Sequence, residues 1–302
     1  MNKIPLVSIF MPVFNAEKYV KQALASIEAQ TYTNWELVVV DDWSEDKSWE
    51  ILQEYARNSN RVIMYRNGRH RGVASAANLA LTKVRGELVA RMDADDVMHP
   101  QRLAKQVRYL QNNPGTVAVG TQCALINHEG KIIGDKTFPT EHEKMYRMIF
   151  RSIPLQQPSL MVNTKLLPKH YQWYQDKEET AEEVDFLLRI FRFGKCANVN
   201  EKLLSYRIHT RNTSLINPKK TFYATFRSRM RGILRYQYRP QVKDVLVTFA
   251  QLLLVTLLPK QLIYPVYSFF RNSSLDGSKE KHVTKMYRRV LSSWKKAFLY
   301  TK

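Results

Sequence analysis

The sequence has little of what disulfide-stapled or metal-stapled folds are built from. Its 302 residues include two cysteines, Cys123 and Cys196. That is too few for a disulfide framework or a cysteine metal cage, and it is compatible with a reducing compartment. Glycine is sparse, at 10 residues. No G-x-G-x-x-G follows the first apolar run, and no G-x-x-x-x-G-K-[ST] occurs anywhere. Neither glycine-rich phosphate cradle is therefore available to bind a nucleotide. Long apolar runs are also missing. VLVTFAQLLLVTLL, at 245–258, is too short to cross a bilayer, which takes about 20 residues. Lys3 followed by IPLVSIFMPVF mimics a secretory leader, but Pro5 and Pro12 interrupt it and no small-residue cleavage site follows. A first β-strand is expected there instead. Finally, no acidic residue lies between Glu201 and Asp244.

What is present is a strongly basic, foldable chain. The formal net charge is +20, with 44% hydrophobic residues and 11% aromatics, which argues for a large buried core and against disorder. Such excess charge points to an anionic partner: nucleic acid, an anionic membrane surface or phosphorylated substrates.

The first 125 residues alternate. Apolar, β-branched runs at 6–12, 35–40, 61–65, 87–92 and 117–121 are separated by segments of helical spacing at 16–30, 44–58, 73–84 and 100–112. Asn15 and Ser44 stand where N-caps are expected, with Glu17, Glu45 and Asp46 in the following first turns. Such alternation predicts an α/β fold with a mostly parallel central sheet flanked by helices, whose ligands bind at the carboxyl ends of the strands. The region 126–215 is less regular, with a hairpin-like INHEGKII and an acidic DKEETAEEVDFLLRI. No linker interrupts it, so 1–218 reads as one catalytic domain.

Residues 219–302 read as a C-terminal basic amphipathic helical extension. Phe222, Phe226, Met230 and Ile233 fall on one helical face, and a last helix over 281–300 sets Val283, Met286, Tyr287, Val290, Leu291, Trp294 and Phe298 against Lys and Arg. Basic helices with aromatic anchors lie in membrane interfaces; the plainer alternative is that these stripes pack on the domain.

Acidic residues cluster at expected strand ends. The fourth strand runs into Asp93, Ala94, Asp95 and Asp96, and the second into Asp41 and Asp42. One Asp would serve as an N-cap for the helix at 100–112, a role open to Asp96. Three in four positions repel each other unless a cation neutralises them, and hard oxygen ligands suit Mg²⁺ or Mn²⁺ completed by substrate phosphates. Asp41 and Asp42 are either a turn-forming pair or acceptors for a nucleobase or ribose.

Three stretches in order, VSIFMPVFNAEKYVKQALASIEAQTYTNWELVVVDDWSEDKSWEIL, RGVASAANLAL and ARMDADDVMHPQRL, resemble family 2 glycosyltransferases of the GT-A fold over roughly residues 5–123. The resemblance implies inverting transfer of a sugar from a nucleotide-sugar, most often a UDP-sugar, with a divalent cation, Mn²⁺ or Mg²⁺, held through the D-x-D element. By position it places Pro12, Phe14 and Glu17 along the nucleotide pocket, Asp42 on the base with Asp41 in support, Arg71 near the base or diphosphate, Asp93 on the ribose or donor sugar, and Asp95 on the metal. Asp96 is ancillary. The family's Glu-Asp pair at a helix start, whose second member is the base, corresponds to Glu182 and Glu183. Glu replaces the usual Asp at 183, so both remain candidates. Asp185 reads as structural. In LSYRIHTRNTSL (204–215), Arg207 and His209 are expected near the metal or diphosphate. Gln157 stands where many relatives have His.

The combined expectation is a membrane-peripheral enzyme on the cytoplasmic face. It would extend a glycan or polyprenyl-diphosphate-linked acceptor of the O-antigen, capsule or exopolysaccharide kind, with no nucleic-acid partner. A metal-dependent nucleotidyltransferase, a basic nucleic-acid-binding protein and a non-catalytic membrane scaffold are the rival readings.

Overall fold

The structure is a computed structural model that describes residues 4–175, 182–209 and 218–257. In chain order the elements are β1 (Val7–Val13), α1 (Val20–Glu28), β2 (Trp35–Asp41), α2 (Ser48–Arg57), β3 (Val62–Arg66), α3 (Val73–Leu81), β4 (Leu88–Arg91), β5 (Val97–Met98), α4 (Arg102–Asn112), β6 (Thr116–Ile126), β7 (Ile132–Lys136), α5 (His142–Met148), β8 (Met161–Asn163), α6 (Glu182–Ile190), β9 (Lys195–Arg207), α7 (Pro218–Tyr236) and α8 (Val242–Leu257). Short 3₁₀ turns at Gln157–Ser159 and Thr164–Leu166 flank β8.

One sheet runs in the order β3-β2-β1-β4-β8-β6-β9-β5, with β7 on β6. Its first half is parallel, as the alternating pattern requires. Its second half is mixed: β8 lies antiparallel between β4 and β6, while β6 and β9 run parallel. The period-2 pattern feeds two cores. Phe10, Val38 and Val40 face the alanines of α3 and the aromatics Trp173 and Phe186. Ile9, Met11, Leu37 and Val39 face α1 and α4. Each such side chain stabilises the fold by about 1.5–3 kcal/mol on burial. Ala74, Ala76, Ala77 and Ala80, all buried, let α3 lie close on the sheet.

Register places the chemistry. Val13 pairs with Asp41, and Asp41 with Arg66. Phe10 pairs with Arg91, the last residue of β4. The Asp41–Asp42 and Asp93–Asp96 segments therefore emerge along one edge. β5 then pairs antiparallel with the end of β9, Val97 opposite Ser205, which brings Arg207 and His209 over the acidic loop.

The expected N-caps are not formed. Helices α1 and α2 begin later, after Tyr19 and Lys47, and neither cap residue makes a side-chain bond. Asn15 adopts a left-handed φ of 48°, and its N–H donates to Ser44 Oγ at 3.0 Å. Asp46 does the capping work instead, accepting from Ser48 N–H at 2.9 Å and Glu17 N–H at 3.0 Å. Bonds between the β1–α1 and β2–α2 loops outcompeted the local caps.

The apolar stripe of α7 faces inward. Met230 and Ile233 pack against the main core, as the packing alternative expected, while Phe222 and Phe226 pack with Val255 and Leu252 of α8. Gly232 permits the approach: a Cβ there would sit 3.0 Å from Leu188 Cδ1. Tyr236 donates to Asp185 at 2.9 Å, and Asp244 of α8 pairs with Arg151. The outer face of α8 is different. Val242, Leu246, Phe249, Leu253 and Leu257 recur at helical spacing and are exposed. Among the described residues no helix is long and apolar enough to cross a membrane. The helix expected at 281–300 lies outside the described residues, as does the rest of the extension beyond Leu257.

Candidate active site

The three acids of the β4–β5 loop occupy three different environments. Asp93 accepts from Arg91 Nε at 2.8 Å. Asp95 Oδ2 lies 2.8 Å from His209 Nε2. Asp96 is buried, and its Oδ1 accepts from Arg207 N–H at 2.8 Å. The cap role considered for Asp96 is not taken up: α4 starts after Gln101, without a side-chain cap. Burial raises the Asp96 carboxyl well above its ordinary value, and the charges of Asp95 and Asp93 add to the shift. Its Oδ2 is buried without a hydrogen-bond partner.

Arg207 does not reach the open side of the site. It is buried, with Nε donating to the Asp95 carbonyl at 2.7 Å and Nη2 to Gln22 Oε1 at 2.6 Å. It staples β9 to the acidic loop while stacking over Tyr19, which in turn stacks on His209.

Asp95 and His209 fit a divalent ion. Their ligand atoms, a carboxylate oxygen and an imidazole nitrogen, meet 2.8 Å apart above the acidic loop and could both turn to such an ion. An imidazole beside a carboxylate also suits Mn²⁺. Among the described residues no three His, Cys, Asp or Glu side chains form a complete cage. An ion here would draw its remaining ligands from phosphate and water.

A second cluster is built around Asp42. It is buried at the end of β2 and gathers a whole loop. Its carboxylate accepts from Asn67 Nδ2 at 2.5 Å, Arg71 N–H at 3.0 Å and Gly72 N–H at 2.7 Å, and His70 Nδ1 lies at 2.8 Å. Gly72 holds φ at 90°, a backbone state that favours glycine. Asp41 pairs with Arg66 Nε at 2.9 Å and caps Ser44 N–H at 3.1 Å. Phe14 is half exposed and stacks on His70, with centroids 4.0 Å apart. Glu17 accepts from Lys47 N–H at 3.2 Å, and Pro12 is buried within β1. The Arg71 side chain is exposed and lines, with Asn67, Arg69, His70, Ser75 and Asn78, an open cleft of about 640 Å³.

A further acidic pair, Glu182 and Glu183, stands on the first turn of α6. Glu182 is buried, 3.9 Å from Arg91 Nη1, and Glu183 is half-buried. Burial pushes Glu182 up to about 7, Glu183 adding to the shift and Arg91 opposing it. Burial raises Glu183 as well. Asp185 is consumed by Arg189 Nε at 2.8 Å and by Tyr236. Gln157 donates to the Tyr174 hydroxyl at 3.3 Å, as does Arg91 Nη1 at the same distance. Arg91 and Tyr174 were missed in the sequence. The available signal was a charged residue inside the apolar run ELVARM, where a cation is stable only with partners.

The family model described as Glycosyl transferase family 2 matches residues 8–170. An uncharacterized glycosyltransferase of Methanocaldococcus jannaschii is 34% identical over 72% of this chain and 75% of its own length. The O-antigen biosynthesis glycosyltransferase WbnJ of Escherichia coli is 32% identical over 70% of this chain and 82% of its own. The S. aureus TarS 1–349 structure in complex with UDP superposes with a TM-score of 0.61 at 21% identity, covering 76% of this chain and 65% of that one. The mannosyltransferase PcManGT from Pyrobaculum calidifontis, in complex with GDP-Man and Mn²⁺, superposes with a TM-score of 0.62 at 17% identity, covering 99% and 82%. These superpositions identify the architecture as the GT-A α/β fold.

Proposed function

The chain belongs to glycosyl transferase family 2, and from that premise we propose that it transfers a sugar, with inversion, from a nucleotide-sugar to a hydroxyl of a lipid-linked or surface glycan. The observation that carries this is the convergence on one sheet edge of Asp93, Asp95 and His209 with the Glu182–Glu183 pair, which Arg91 bridges. A UDP-sugar is the favoured donor, supported by the UDP in TarS; the GDP-Man of PcManGT makes a GDP-sugar the alternative. The family match disfavours nucleotidyl transfer and nucleic-acid binding.

In this mechanism the acceptor oxygen attacks the donor's anomeric carbon, its proton passes to Glu183, and the C–O bond to the diphosphate breaks with its electron pair on the leaving nucleotide. Asp93 orients the donor sugar or ribose. Asp42 fixes loop 67–72 so that His70 and Phe14 wall the base, while Arg71 lies beside the diphosphate. Glu17, Pro12 and Asp41 brace these loops. Asp95 and His209 would hold Mn²⁺ or Mg²⁺, which when bound supplies positive charge to the leaving diphosphate.

The surface character supports a reading of the acceptor and the location. The exposed stripe of α8 lies beside the exposed cations Arg239 and Lys243, with Arg227 and Arg235 on α7. Apolar contact plus positive charge fits an anionic membrane, where a polyprenyl-diphosphate-linked acceptor resides. This supports a peripheral location on the inner face of the cell membrane, in O-antigen, capsule or exopolysaccharide assembly. The test is to incubate the protein and Mn²⁺ with a panel of nucleotide-sugars and lipid-diphosphate acceptors and read the products by mass spectrometry. Transfer from one donor is expected; no nucleotide release from any donor would refute the function.

A further inference from the structure

We propose that Arg91 is a positioning residue of the transfer: it holds the Asp93 carboxylate at the donor and acts as counter-ion to Glu182, leaving Glu183 to take the acceptor's proton. The inference rests on the glycosyl-transfer reading above and deepens it.

The argument begins with where the charge is. Arg91 is 3% exposed at the end of an apolar strand, and a guanidinium there is tolerated only when fully partnered. Among the described residues its side-chain partners belong to the site: Asp93 Oδ1 at 2.8 Å, the Tyr174 hydroxyl at 3.3 Å and Glu182 Oε1 at 3.9 Å. Burial works against its charge, yet Asp93, Tyr174 and Glu182 hold it above its ordinary value. The buried charge is therefore stabilised by the groups that face the reaction.

Its position is over-determined. The Arg91 N–H donates to the Leu160 carbonyl at 2.9 Å. The buried Arg102 donates Nη2 to the Arg91 carbonyl at 2.9 Å and, behind it, to Leu160 at 3.3 Å. Tyr174 is clamped on its backbone by both ends of the Asn78 amide, and its hydroxyl also accepts from Gln157. Arg91 therefore joins the D-x-D loop, α6 and the Gln157 turn through one rigid cation. A planar five-donor fork can serve several partners at fixed angles; a lysine ammonium cannot.

The same geometry separates the two glutamates. Glu182 is 8% exposed with Oε1 3.9 Å from Arg91 Nη1, whereas Glu183, the next residue on α6, is only half-buried. Titration alone would nominate Glu182, but a base must first reach the hydroxyl it deprotonates, so access decides.

The test compares thermal melting and steady-state transfer for wild type, R91K, R91M, E182Q, R91M/E182Q and E183Q. Melting should be non-additive: E182Q should be more favourable beside R91M than in the wild-type background, because Arg91 no longer offsets the burial of the Glu182 carboxylate. R91K should stay folded yet lose about tenfold or more in kcat, as small misplacements of reacting groups do. E182Q should lose less than about tenfold and E183Q about a thousandfold. The proposal is overturned if E182Q falls as far as E183Q, if folded R91K turns over like wild type, or if the two substitutions simply add in melting. A wild-type protein that transfers no sugar would defeat the glycosyl-transfer reading itself; non-additive melting would still support the Arg91–Glu182 pair.

Discussion

Replacing Asp42 with asparagine removes a charge while leaving the volume unchanged. Asp42 is 1% exposed, and its two oxygens serve Asn67 Nδ2, Arg71 N–H and Gly72 N–H, with His70 alongside. An amide offers one acceptor oxygen and must turn its NH₂ toward at least one of these donors. A hydrogen bond to a charged group contributes about 1.5–3 kcal/mol, and a buried donor left unmatched costs about 1–3 kcal/mol. The loss at loop 67–72 is therefore about 2–3 kcal/mol, even if the asparagine recovers one neutral bond. If the loop stays cooperative with the fold, urea unfolding will show that loss in full. If it opens locally, global stability is affected less and the loss appears in binding. At 1.4 kcal/mol per tenfold, about 2 kcal/mol corresponds to roughly 30-fold weaker nucleoside-diphosphate affinity. Calorimetric titration with UDP and GDP, paired with urea melts, measures both routes. Changes below about 0.5 kcal/mol in both would refute the role assigned to Asp42.

Other consequences can be checked separately. D95A should abolish the strengthening of nucleoside-diphosphate binding by Mn²⁺ and cost about a hundredfold in turnover, read by Mn²⁺ titration. L246E/L253E, on the exposed face of α8, should leave the fold intact and release the protein from anionic vesicles in a sedimentation assay; unchanged pelleting would count against that face. At the opposite end of the strands, burial raises the Glu36 carboxyl, but bonds from Ser8 and Arg85 more than offset this and hold it below 4.5. A depressed carboxylate contributes stability above its unfolded value and loses it as pH falls through the folded one. The melting gap between wild type and E36Q should therefore narrow as pH drops below 4.5.

The alternation of strand and helix was legible because β1 and β2 are mostly apolar and β-branched and their neighbours carry helical spacing. The acidic strand ends were legible for the same reason: sheet topology alone brings Asp41 and Asp93 to one edge. The caps were not. Ser44 and Asn15 have local cap chemistry, but they spend it across two loops that meet only in the fold. The division of labour among Asp93, Asp95 and Asp96 was likewise hidden, since it depends on Arg91, His209 and Arg207, the last two more than a hundred residues away. The close approach of α7 to α6, where Gly232 meets Leu188, exists only in the fold. An amphipathic pattern states that a face is apolar, not what covers it.

The most direct measurement of the central claim is donor binding and sugar transfer by wild type and E183Q, side by side, with Mn²⁺ and the donor that the panel selects. Donor affinity within about threefold of wild type and a transfer rate about a thousandfold lower are predicted, because Glu183 handles the acceptor's proton and not the donor. Equal transfer rates in the two proteins would contradict the account.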